Sequence, residues 1–162
     1  QAKLQPGQTV LIYGASGAVG TNAVQLARNL FGCEVTGVCS AANLNLVKSL
    51  GAAHVLDYTR QDFTQQGPVY DVVFDAVAKF PAAQARQALK PGGVYLNVHR
   101  DSDAKTGQTR LQEILELKDL LDAGKFKPAI DRVYPFEQIV EAHRYVEQGH
   151  KKGNVVIQVA QN

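Results

Sequence analysis

A short apolar run that passes through a glycine-rich turn into an amphipathic segment constrains the fold more than any other feature. The run Thr9 to Tyr13 leads directly into Gly14-Ala15-Ser16-Gly17-Ala18-Val19-Gly20. After the turn, apolar residues recur at helical spacing at Val19, Ala23, Leu26, Ala27 and Leu30. This order predicts a buried parallel strand, a tight turn and a helix that packs on the strand.

The same alternation continues along the chain. Strands are predicted at Glu34 to Cys39 and His54 to Asp57, around a helix at Asn43 to Leu50 that Gly51 ends. A second series has strands at Tyr70 to Ala76 and Val94 to Val98, around a helix at Pro81 to Leu89 and a turn at Pro91-Gly92-Gly93. Helices at Leu111 to Ala123 and Phe136 to Glu147 then lead to a last strand, Asn154 to Val159.

Strands that alternate with helices predict an α/β fold, a doubly wound parallel sheet of Rossmann type with helices on both faces. We expect about six strands in the order 3-2-1-4-5-6. The 162 residues are enough for one such domain, spanning 1–162, and too few for a second full domain.

The glycine turn is the first candidate site, because it lies where a strand meets a helix. Backbone amides and the helix dipole at such a position can hold a pyrophosphate. Gly14 suits the tight turn, Gly17 lets a phosphate approach the backbone, and Gly20 lets the helix lie close to its strand. The alternative interpretation is a packing turn without a ligand.

Ser40 stands at the end of the second strand, where NAD-binding sites usually have an acid that accepts hydrogen bonds from the ribose. The hydroxyl favours NADP, although Ala41-Ala42-Asn43 supplies no cation for the phosphate. Ser40 could equally be a helix cap. Tyr58, just after the third strand, could cover the adenine or reach the phosphate, or be an exposed loop residue.

The carboxyl ends of strands four and five border the ligand crevice of an open α/β sheet. Asp75 to Ala78 and Asn97 to His99 should therefore line the nicotinamide half of the site. We assign no catalytic residue, because a single histidine at a strand end, His99, is more often a polar neighbour than an acid or base.

Composition excludes several other classes. A net charge of +2 is too small for a nucleic-acid footprint, and the His150-Lys151-Lys152 run is interpreted as a solvated turn. No long apolar run or leader is present, so no membrane contact and a cytoplasmic location are expected. Cys33, Cys39 and the four histidines form no metal-ligand pattern. The chain lacks methionine and begins at Gln1, which indicates a processed or engineered fragment.

Taken together, these residues resemble the cofactor domain of the medium-chain dehydrogenase/reductase superfamily, in its quinone oxidoreductase-like, zinc-independent NAD(P)-dependent alcohol dehydrogenase branch. The similarity extends over nearly the whole chain. It rests on these segments: Leu11 to Gly20, Val47 to Ala52, Asp71 to Asp75, Leu89 to Gly93, Ala142 to Tyr145 and Gly149 to Asn154.

The resemblance implies a set of cofactor contacts. It also implies that the chain prefers NADPH to NADH and binds no zinc. The implied contacts are Ser16, Gly17, Ala18, Val19 and Gly20 to the pyrophosphate, Ser40, Asn43 and Tyr58 to the 2′-phosphate, and Val77, Ala78, Asn97 and Val98 to the nicotinamide. Hydride would then reduce an enone, quinone or aldehyde.

The resemblance also implies what this chain lacks. An N-terminal GroES-like catalytic domain would be the missing partner, so the chain is expected to bind cofactor without turnover. The polar run Arg100 to Gln108 stands where the family has a helix and an edge strand used in dimer formation, so the usual dimer contact is expected to be lost.

The sequence also bears on three other protein classes. A methyltransferase that uses S-adenosylmethionine shares the Leu89 to Gly93 pattern but needs an acid where Ser40 stands. A short-chain reductase needs a Tyr-x-x-x-Lys pair, which the sequence lacks. A trimmed or ancestral scaffold without activity remains an alternative.

Overall fold

Five parallel strands form the central sheet of the protein, whose computed structural model describes residues 2–67, 69–101 and 111–159. In chain order the strands are β1 (Thr9–Tyr13), β2 (Glu34–Cys39), β3 (His54–Asp57), β4 (Tyr70–Asp75) and β5 (Leu89–Asn97). They lie in the order β3-β2-β1-β4-β5. The predicted order of the first five strands and the α/β class are therefore confirmed, and the order reverses direction beside β1, which pairs with both β2 and β4.

Helices cover both faces of this sheet. The helices α1 (Ala18–Asn29) and α2 (Leu44–Ser49) pack on one face. The short helix α3 (Ala82–Ala85) and the 3-10 turns Phe63–Gln66 and Arg86–Ala88 pack on the other. Doubly wound packing explains why the strands contain continuous apolar runs, since successive side chains point to opposite faces and both faces are buried.

The core follows this alternation residue by residue. Val10 and Ile12 contact the α1 side, and Leu11 between them contacts the opposite side. Full burial of side chains of this size is worth about 1.5–3 kcal/mol each. Gly37 of β2 lets α2 approach, because a Cβ there would lie 2.3 Å from Cγ1 of Val47.

The C-terminal part differs from the prediction. It contains α4 (Leu111–Asp122), β6 (Ile130–Pro135), α5 (Ile139–Glu147) and β7 (Asn154–Gln158). The last strand was predicted in the sixth place of the main sheet, and this was wrong: β7 pairs in parallel with β6 in a separate two-stranded sheet. The sequence analysis did not predict β6, whose side chains are mostly exposed.

Two groups of hydrogen bonds attach this C-terminal part to the main sheet and its helices. The buried Gln25 side chain of α1 donates to the carbonyl oxygen of Lys127 at 3.0 Å and accepts from the Lys127 amide at 2.8 Å. The amide of Gly153 donates to the carbonyl oxygen of Ser16 at 2.8 Å, and the next amide, of Asn154, donates to Ala129 at 2.7 Å. The segment before β7 therefore lies against the turn that opens α1.

Two smaller differences concern the fourth and fifth strands. The helix expected at Pro81 to Leu89 has a single α-helical turn, and β5 already begins at Leu89, with irregular pairing to β4 between Tyr70 and Val72. Most of the polar run Arg100 to Gln108 lies outside the described residues. Within the described ranges, no helix is long and apolar enough to cross a bilayer.

Candidate functional site

A pocket with a volume of about 830 Å³ opens at the carboxyl edge of the central sheet. Nine of the thirteen residues proposed from sequence line it. They are Gly14, Ser16, Gly17, Val19, Ser40, Asn43, Tyr58, Val77 and Val98. The carboxyl edge beside the point where strand order reverses is where doubly wound sheets bind ligands.

The glycine turn forms the floor of this pocket. Gly14 has a φ of +78°, and a Cβ there would lie 2.6 Å from Cγ1 of Val77, so both conformation and space require glycine. The amides of Gly14 and Ala15 donate to the carbonyl oxygen of Val38 at 3.0 Å, which fixes the turn against β2.

The three glycines of the turn differ in why a larger residue would or would not fit. A Cβ on Gly20 would lie 2.1 Å from the carbonyl oxygen of Gly14, so this glycine serves close packing of helix on turn and does not line the pocket. A Cβ on Gly17 would meet only that same oxygen, at an ordinary 3.5 Å. Packing within the protein does not require glycine at 17, and Gly17 lines the pocket.

Helix α1 begins at Ala18, with Gly17 as its N-cap and no side-chain cap. The first amide that bonds within the helix is that of Thr21, which donates to Gly17 at 2.9 Å. The amides of Ala18, Val19 and Gly20 therefore have no intrahelical acceptor, and they add to the partial positive charge of the helix N-terminus. Ala18 and Gly20 can contribute through these amides although neither residue lines the pocket.

A basic loop that the sequence analysis interpreted as a solvated turn lies at the rim of the same pocket. The residues Gly149 to Lys152 line it, and Gly153 forms a bridge with Gly17. The Lys151 ammonium donates to the carbonyl oxygen of Gly153 at 2.6 Å, while the side chain of Lys152 is exposed. His150 and Lys152 are exposed, as expected of a solvated turn, and the loop in addition lies beside the glycine turn.

The charged residues that line the pocket are all positive. Its cationic lining residues are Lys79, Lys151 and Lys152, with His99 and His150 beside them. No aspartate or glutamate is found among the described lining residues. Such a lining favours an anionic ligand.

Three hydrogen-bonding side chains meet at the end of β2. The Asn43 amide nitrogen lies 3.1 Å from Oγ of Ser16 and 3.3 Å from Oγ of Ser40. Asn43 stands where the chain turns into α2, and its own amide donates to the carbonyl oxygen of Ser40 at 2.9 Å. The turn after β2 and the glycine turn after β1 are thus joined by one side chain.

Aromatic rings border this end of the pocket. The ring of Tyr58, half exposed, lies 6.3 Å from the ring of Tyr13, which in turn lies 4.9 Å from Phe80. Burial, with the neighbouring Tyr58 and Asp75, raises the pKa of the Tyr13 hydroxyl, so it stays a neutral donor. An exposed ring beside a pocket offers a stacking surface for a planar group.

A buried carboxylate shapes the opposite end. Asp75, fully buried at the end of β4, accepts from the amides of Val77 at 3.1 Å and Phe80 at 2.8 Å. These bonds hold the loop in which Val77 and Lys79 line the pocket. Ala78 between them adopts a φ of +54°, an unusual backbone for alanine, and does not line the pocket.

Of the residues at the end of β5, some line the pocket and one does not. Val98 and His99 line the pocket, whereas the Asn97 side chain does not. Its Oδ1 accepts from the amides of His99 at 3.0 Å and Arg100 at 3.3 Å, so Asn97 organises the turn that presents its neighbours.

The cysteine in the pocket wall is poorly suited to ligand chemistry. Burial and the neighbouring Asp57 raise the pKa of the Cys39 thiol to about 11. The pKa of Asp57 is lowered because its carboxylate accepts hydrogen bonds from the backbone amide and hydroxyl of Thr59. Among the described residues, no group of three or more His, Cys, Asp or Glu side chains could hold a metal.

Comparison with known proteins supplies a family. Residues 50–157 match the family model described as zinc-binding dehydrogenase. The chain is 35% identical to the tomato (Solanum lycopersicum) 2-methylene-furan-3-one reductase over 164 residues, and 30% identical to the NADPH-dependent alkenal/one oxidoreductase of Arabidopsis thaliana over 171 residues. Each alignment covers 97% of this chain and 42% of the relative.

A solved structure shows the same architecture. The quinone oxidoreductase from Coxiella burnetii superposes with a TM-score of 0.86 at 30% identity, over 99% of this chain and 55% of that one. The chain thus spans about half the length of the proteins it matches.

Proposed function

Because the chain belongs to the medium-chain dehydrogenase/reductase superfamily, in its quinone oxidoreductase-like branch, and covers the family's cofactor-binding region, we propose that its pocket binds a nicotinamide adenine dinucleotide, with NADPH preferred to NADH. The glycine turn would hold the diphosphate. The observation that carries this proposal is that the glycine turn, which forms the uncapped N-terminus of α1, lines the pocket at Gly14, Ser16 and Gly17.

The diphosphate seat has two sources of positive potential. One is the N-terminus of α1, whose first amides lack intrahelical acceptors. The other is the basic loop, whose contact with the glycine turn keeps Lys151 and Lys152 at the rim. A diphosphate placed here would meet amide donors below and ammonium groups above.

The preference for NADPH is proposed from what surrounds the end of β2. A carboxylate there would accept hydrogen bonds from the free ribose hydroxyls of NADH and repel a 2′-phosphate. Ser40 occupies that position, with Ser16 and Asn43 beside it. We place the 2′-phosphate at these three residues and the adenine beside Tyr58.

The nicotinamide would lie at the other end, beside Val77 and Val98 and over the Ala78 backbone. Bound NADPH would supply a hydride for the reduction of a conjugated alkene, quinone or aldehyde. The residues of this chain would place the ring by shape, since the Asp75 hydrogen bonds hold the loop that carries Val77.

The residues that the structure describes do not offer a zinc site. A zinc site needs three or four thiolate, imidazole or carboxylate ligands on one centre. The described residues contain no such group, and the raised pKa of Cys39 keeps that thiol protonated. We propose that the chain binds no zinc, and elemental analysis of the purified protein after dialysis would test this.

Reduction of a substrate would need a second region of the protein. Apolar side chains on α4 and β6 are strongly exposed; the largest values are 70% for Leu111, 56% for Val133 and 54% for Ile130. We propose that the family's catalytic domain covers some of these exposed side chains and contributes the substrate contacts. The chain alone should bind cofactor and turn over quinones far more slowly than intact reductases; comparable rates would contradict this part.

Direct titration tests the cofactor proposal. NADPH, NADH and S-adenosylmethionine are titrated separately into the chain, and binding is followed by nucleotide fluorescence and by calorimetry. We expect NADPH to bind more tightly than NADH and S-adenosylmethionine to give no heat. A chain that binds only S-adenosylmethionine, or none of the three, would overturn the proposal.

A further inference from the structure

One carboxylate joins the two sides of the basic loop. The loop, Gly149 to Lys152, lies between α5 and β7. In β6, Oδ2 of Asp131 accepts from the hydroxyl of Tyr145 in α5 at 2.6 Å and from the backbone amide of Lys152 at 2.9 Å. A single oxygen therefore receives donors from both sides of the loop and closes the segment from Tyr145 to Lys152 at its base.

The local structure of β6 explains how Asp131 reaches the loop. Ile130 and Arg132, on either side of Asp131, lie opposite consecutive residues of β7, so Asp131 is an extra residue in the pairing. An extra residue of this kind can aim its side chain away from the regular alternation of a strand. The guanidinium carbon of Arg132 lies 3.9 Å from the centroid of the Tyr145 ring. This cation–π contact holds the ring, and with it the hydroxyl, against β6.

The carboxylate of Asp131 is partly buried and ionised. Burial alone would raise its pKa, but the hydrogen bonds from the Tyr145 hydroxyl and the Lys152 amide outweigh burial and leave the pKa below its usual value. Hydrogen bonds to an ionised acceptor are about twice as strong as neutral ones. Asp131 does not line the pocket, so it would act on a ligand there only through the loop.

Three successive amides at the end of the loop donate in alternate directions. The amide of Lys152 bonds to Asp131 in β6, the amide of Gly153 to the glycine turn, and the amide of Asn154 to the segment before β6. Only the first of these three acceptors is a side chain, so only that bond can be removed by substituting the acceptor. Lys152 is also the residue whose exposed side chain lies at the pocket rim.

We propose that Asp131 is a positioning residue for the proposed cofactor, which holds the basic loop so that the Lys152 ammonium lies over the diphosphate. This rests on the proposed function and deepens it, because it identifies what keeps the second source of positive potential in place. A loop that is ordered before the ligand binds loses less conformational entropy on binding, which raises the affinity.

Two variants of Asp131 change the charge equally and differ in the hydrogen bonds that remain. Asp131→Asn keeps an oxygen that can accept from both Tyr145 and Lys152, whereas Asp131→Ala keeps none. Charge alone would tighten the binding of an anionic ligand in both variants, since each removes a negative charge. We expect Asp131→Ala to weaken NADPH binding by about tenfold and Asp131→Asn to stay within about threefold of wild type. Equal affinities of the two variants would overturn the proposal.

A double-mutant cycle tests whether Asp131 acts through Lys152. Lys152→Ala should weaken NADPH binding several-fold in the wild-type background and by less than about twofold in the Asp131→Ala background. Lys79→Ala is the matched control, because it removes an ammonium group from the pocket lining on the loop that Asp75 holds. Its effect should be the same in both backgrounds. A merely structural Asp131 would lower the melting temperature and leave both lysine effects additive, which would overturn the proposal.

Thermal melting checks the folding of each variant, and Tyr145→Phe provides the test if Asp131→Ala does not fold. Tyr145→Phe removes the hydroxyl that holds the carboxylate and leaves the Lys152 amide bond in place. It should therefore weaken NADPH binding several-fold, and by less in a Lys152→Ala background. Unchanged affinity in folded Tyr145→Phe would contradict the proposed closure of the loop.

Failure of the two proposals can be told apart. If the wild-type chain binds neither NADPH nor NADH, the proposed function is wrong and this inference is wrong with it. If the wild type binds NADPH and folded Asp131→Ala binds it as tightly, only the role of Asp131 is overturned.

Discussion

The amide of Gly153 donates a 2.8 Å hydrogen bond to the carbonyl oxygen of Ser16, which joins the segment before the last strand to the turn after the first. Gly153 also bridges Gly17 in parallel fashion. The proposed diphosphate site is therefore formed by two segments far apart in the sequence, the glycine turn and the loop before β7. A substitution that displaces Gly153 should disturb the position of both segments.

Replacement of Gly153 by alanine should damage this junction. Gly153 has a φ of +62°, and a Cβ would lie 2.3 Å from the carbonyl oxygen of Ala129. We expect Gly153→Ala to lower the free energy of unfolding by at least about 2 kcal/mol and to weaken NADPH binding. The control is Gly149→Ala, where φ is +75° but nothing lies within 4 Å of the added Cβ. Equal losses in urea unfolding would show that backbone strain alone matters.

The exposed Lys152 should contribute to cofactor affinity through its charge. Lys152→Glu places a negative group at the rim, so NADPH should bind on the order of tenfold more weakly at low salt, and the difference should shrink as salt screens it. Lys125→Glu makes the same charge change at an exposed residue outside the pocket lining. If both variants reduce affinity equally in fluorescence titrations, the effect comes from net charge and Lys152 has no local role.

The first three strands could be predicted to the residue because their signals are local. Buried β-branched and other apolar residues recur in β1, β2 and β3, and the strands are followed by a glycine, a serine and a tyrosine that begin turns. The two-sided burial of a parallel sheet keeps such runs continuous. The order of the strands around β1 could then be predicted, because right-handed crossovers between parallel strands leave few alternatives.

Because β6 was not predicted, the position of the basic loop beside the pocket was not predicted either. β6 contains Asp131, Arg132 and Pro135 and is largely exposed, so it has neither an apolar run nor a clean alternation. Without β6, the last strand was placed in the main parallel sheet, where the loop before it would lie at the edge opposite the pocket. Because β7 pairs with β6 instead, the basic loop reaches the glycine turn.

The side-chain geometry of the candidate site could not be predicted from sequence. The contact between Ser16 and Asn43 joins two different turns and depends on the register of β1 and β2, in which Tyr13 lies opposite Val38. Asn97 was predicted at the cofactor because it ends a strand. Its side chain accepts from two backbone amides in the following turn, a local arrangement typical of asparagine that the sequence did not predict.

Gly17 provides a test of the glycine turn that leaves the fold intact. A Cβ there has only an ordinary 3.5 Å contact, so Gly17→Ala should melt within a few degrees of wild type and bind NADPH more weakly. Gly17→Asp adds a carboxylate where the diphosphate would lie, and we expect affinity to fall by about a hundredfold or more. Affinity in Gly17→Asp equal to that of wild type would place the ligand elsewhere.

Acid stability should depend on Asp71, which joins the ends of three strands. Its carboxylate accepts from the amide of Thr9 at 2.8 Å and from Lys90 at 2.9 Å, and these bonds, the amide first, lower its pKa. A lowered folded pKa means that the stabilisation is present above the unfolded value, about 3.9, and is lost as pH falls through the folded value. The stability difference between wild type and Asp71→Asn should therefore be largest above about pH 5 and shrink toward pH 2 in urea unfolding. A difference that stays constant with pH would contradict the ionised role.

Asp75 should stabilise the fold and the nicotinamide end of the pocket together. Its buried carboxylate accepts from the amides of Val77 and Phe80 and lies 3.3 Å from the Tyr95 hydroxyl. Asp75→Ala would leave two backbone donors without an acceptor, and buried unsatisfied groups cost about 1–3 kcal/mol each, so we expect a loss of roughly 3 kcal/mol in urea unfolding. Tyr95→Phe is the control: it removes the hydroxyl's bonds to the carboxylate and to the carbonyl oxygen of Phe80, at 2.9 Å, but leaves both amides satisfied, so it should lose less than Asp75→Ala. Because the amide of Val77 is released only in Asp75→Ala, only that variant should also weaken NADPH binding, and unchanged affinity there would mean that the loop holds its position without the carboxylate.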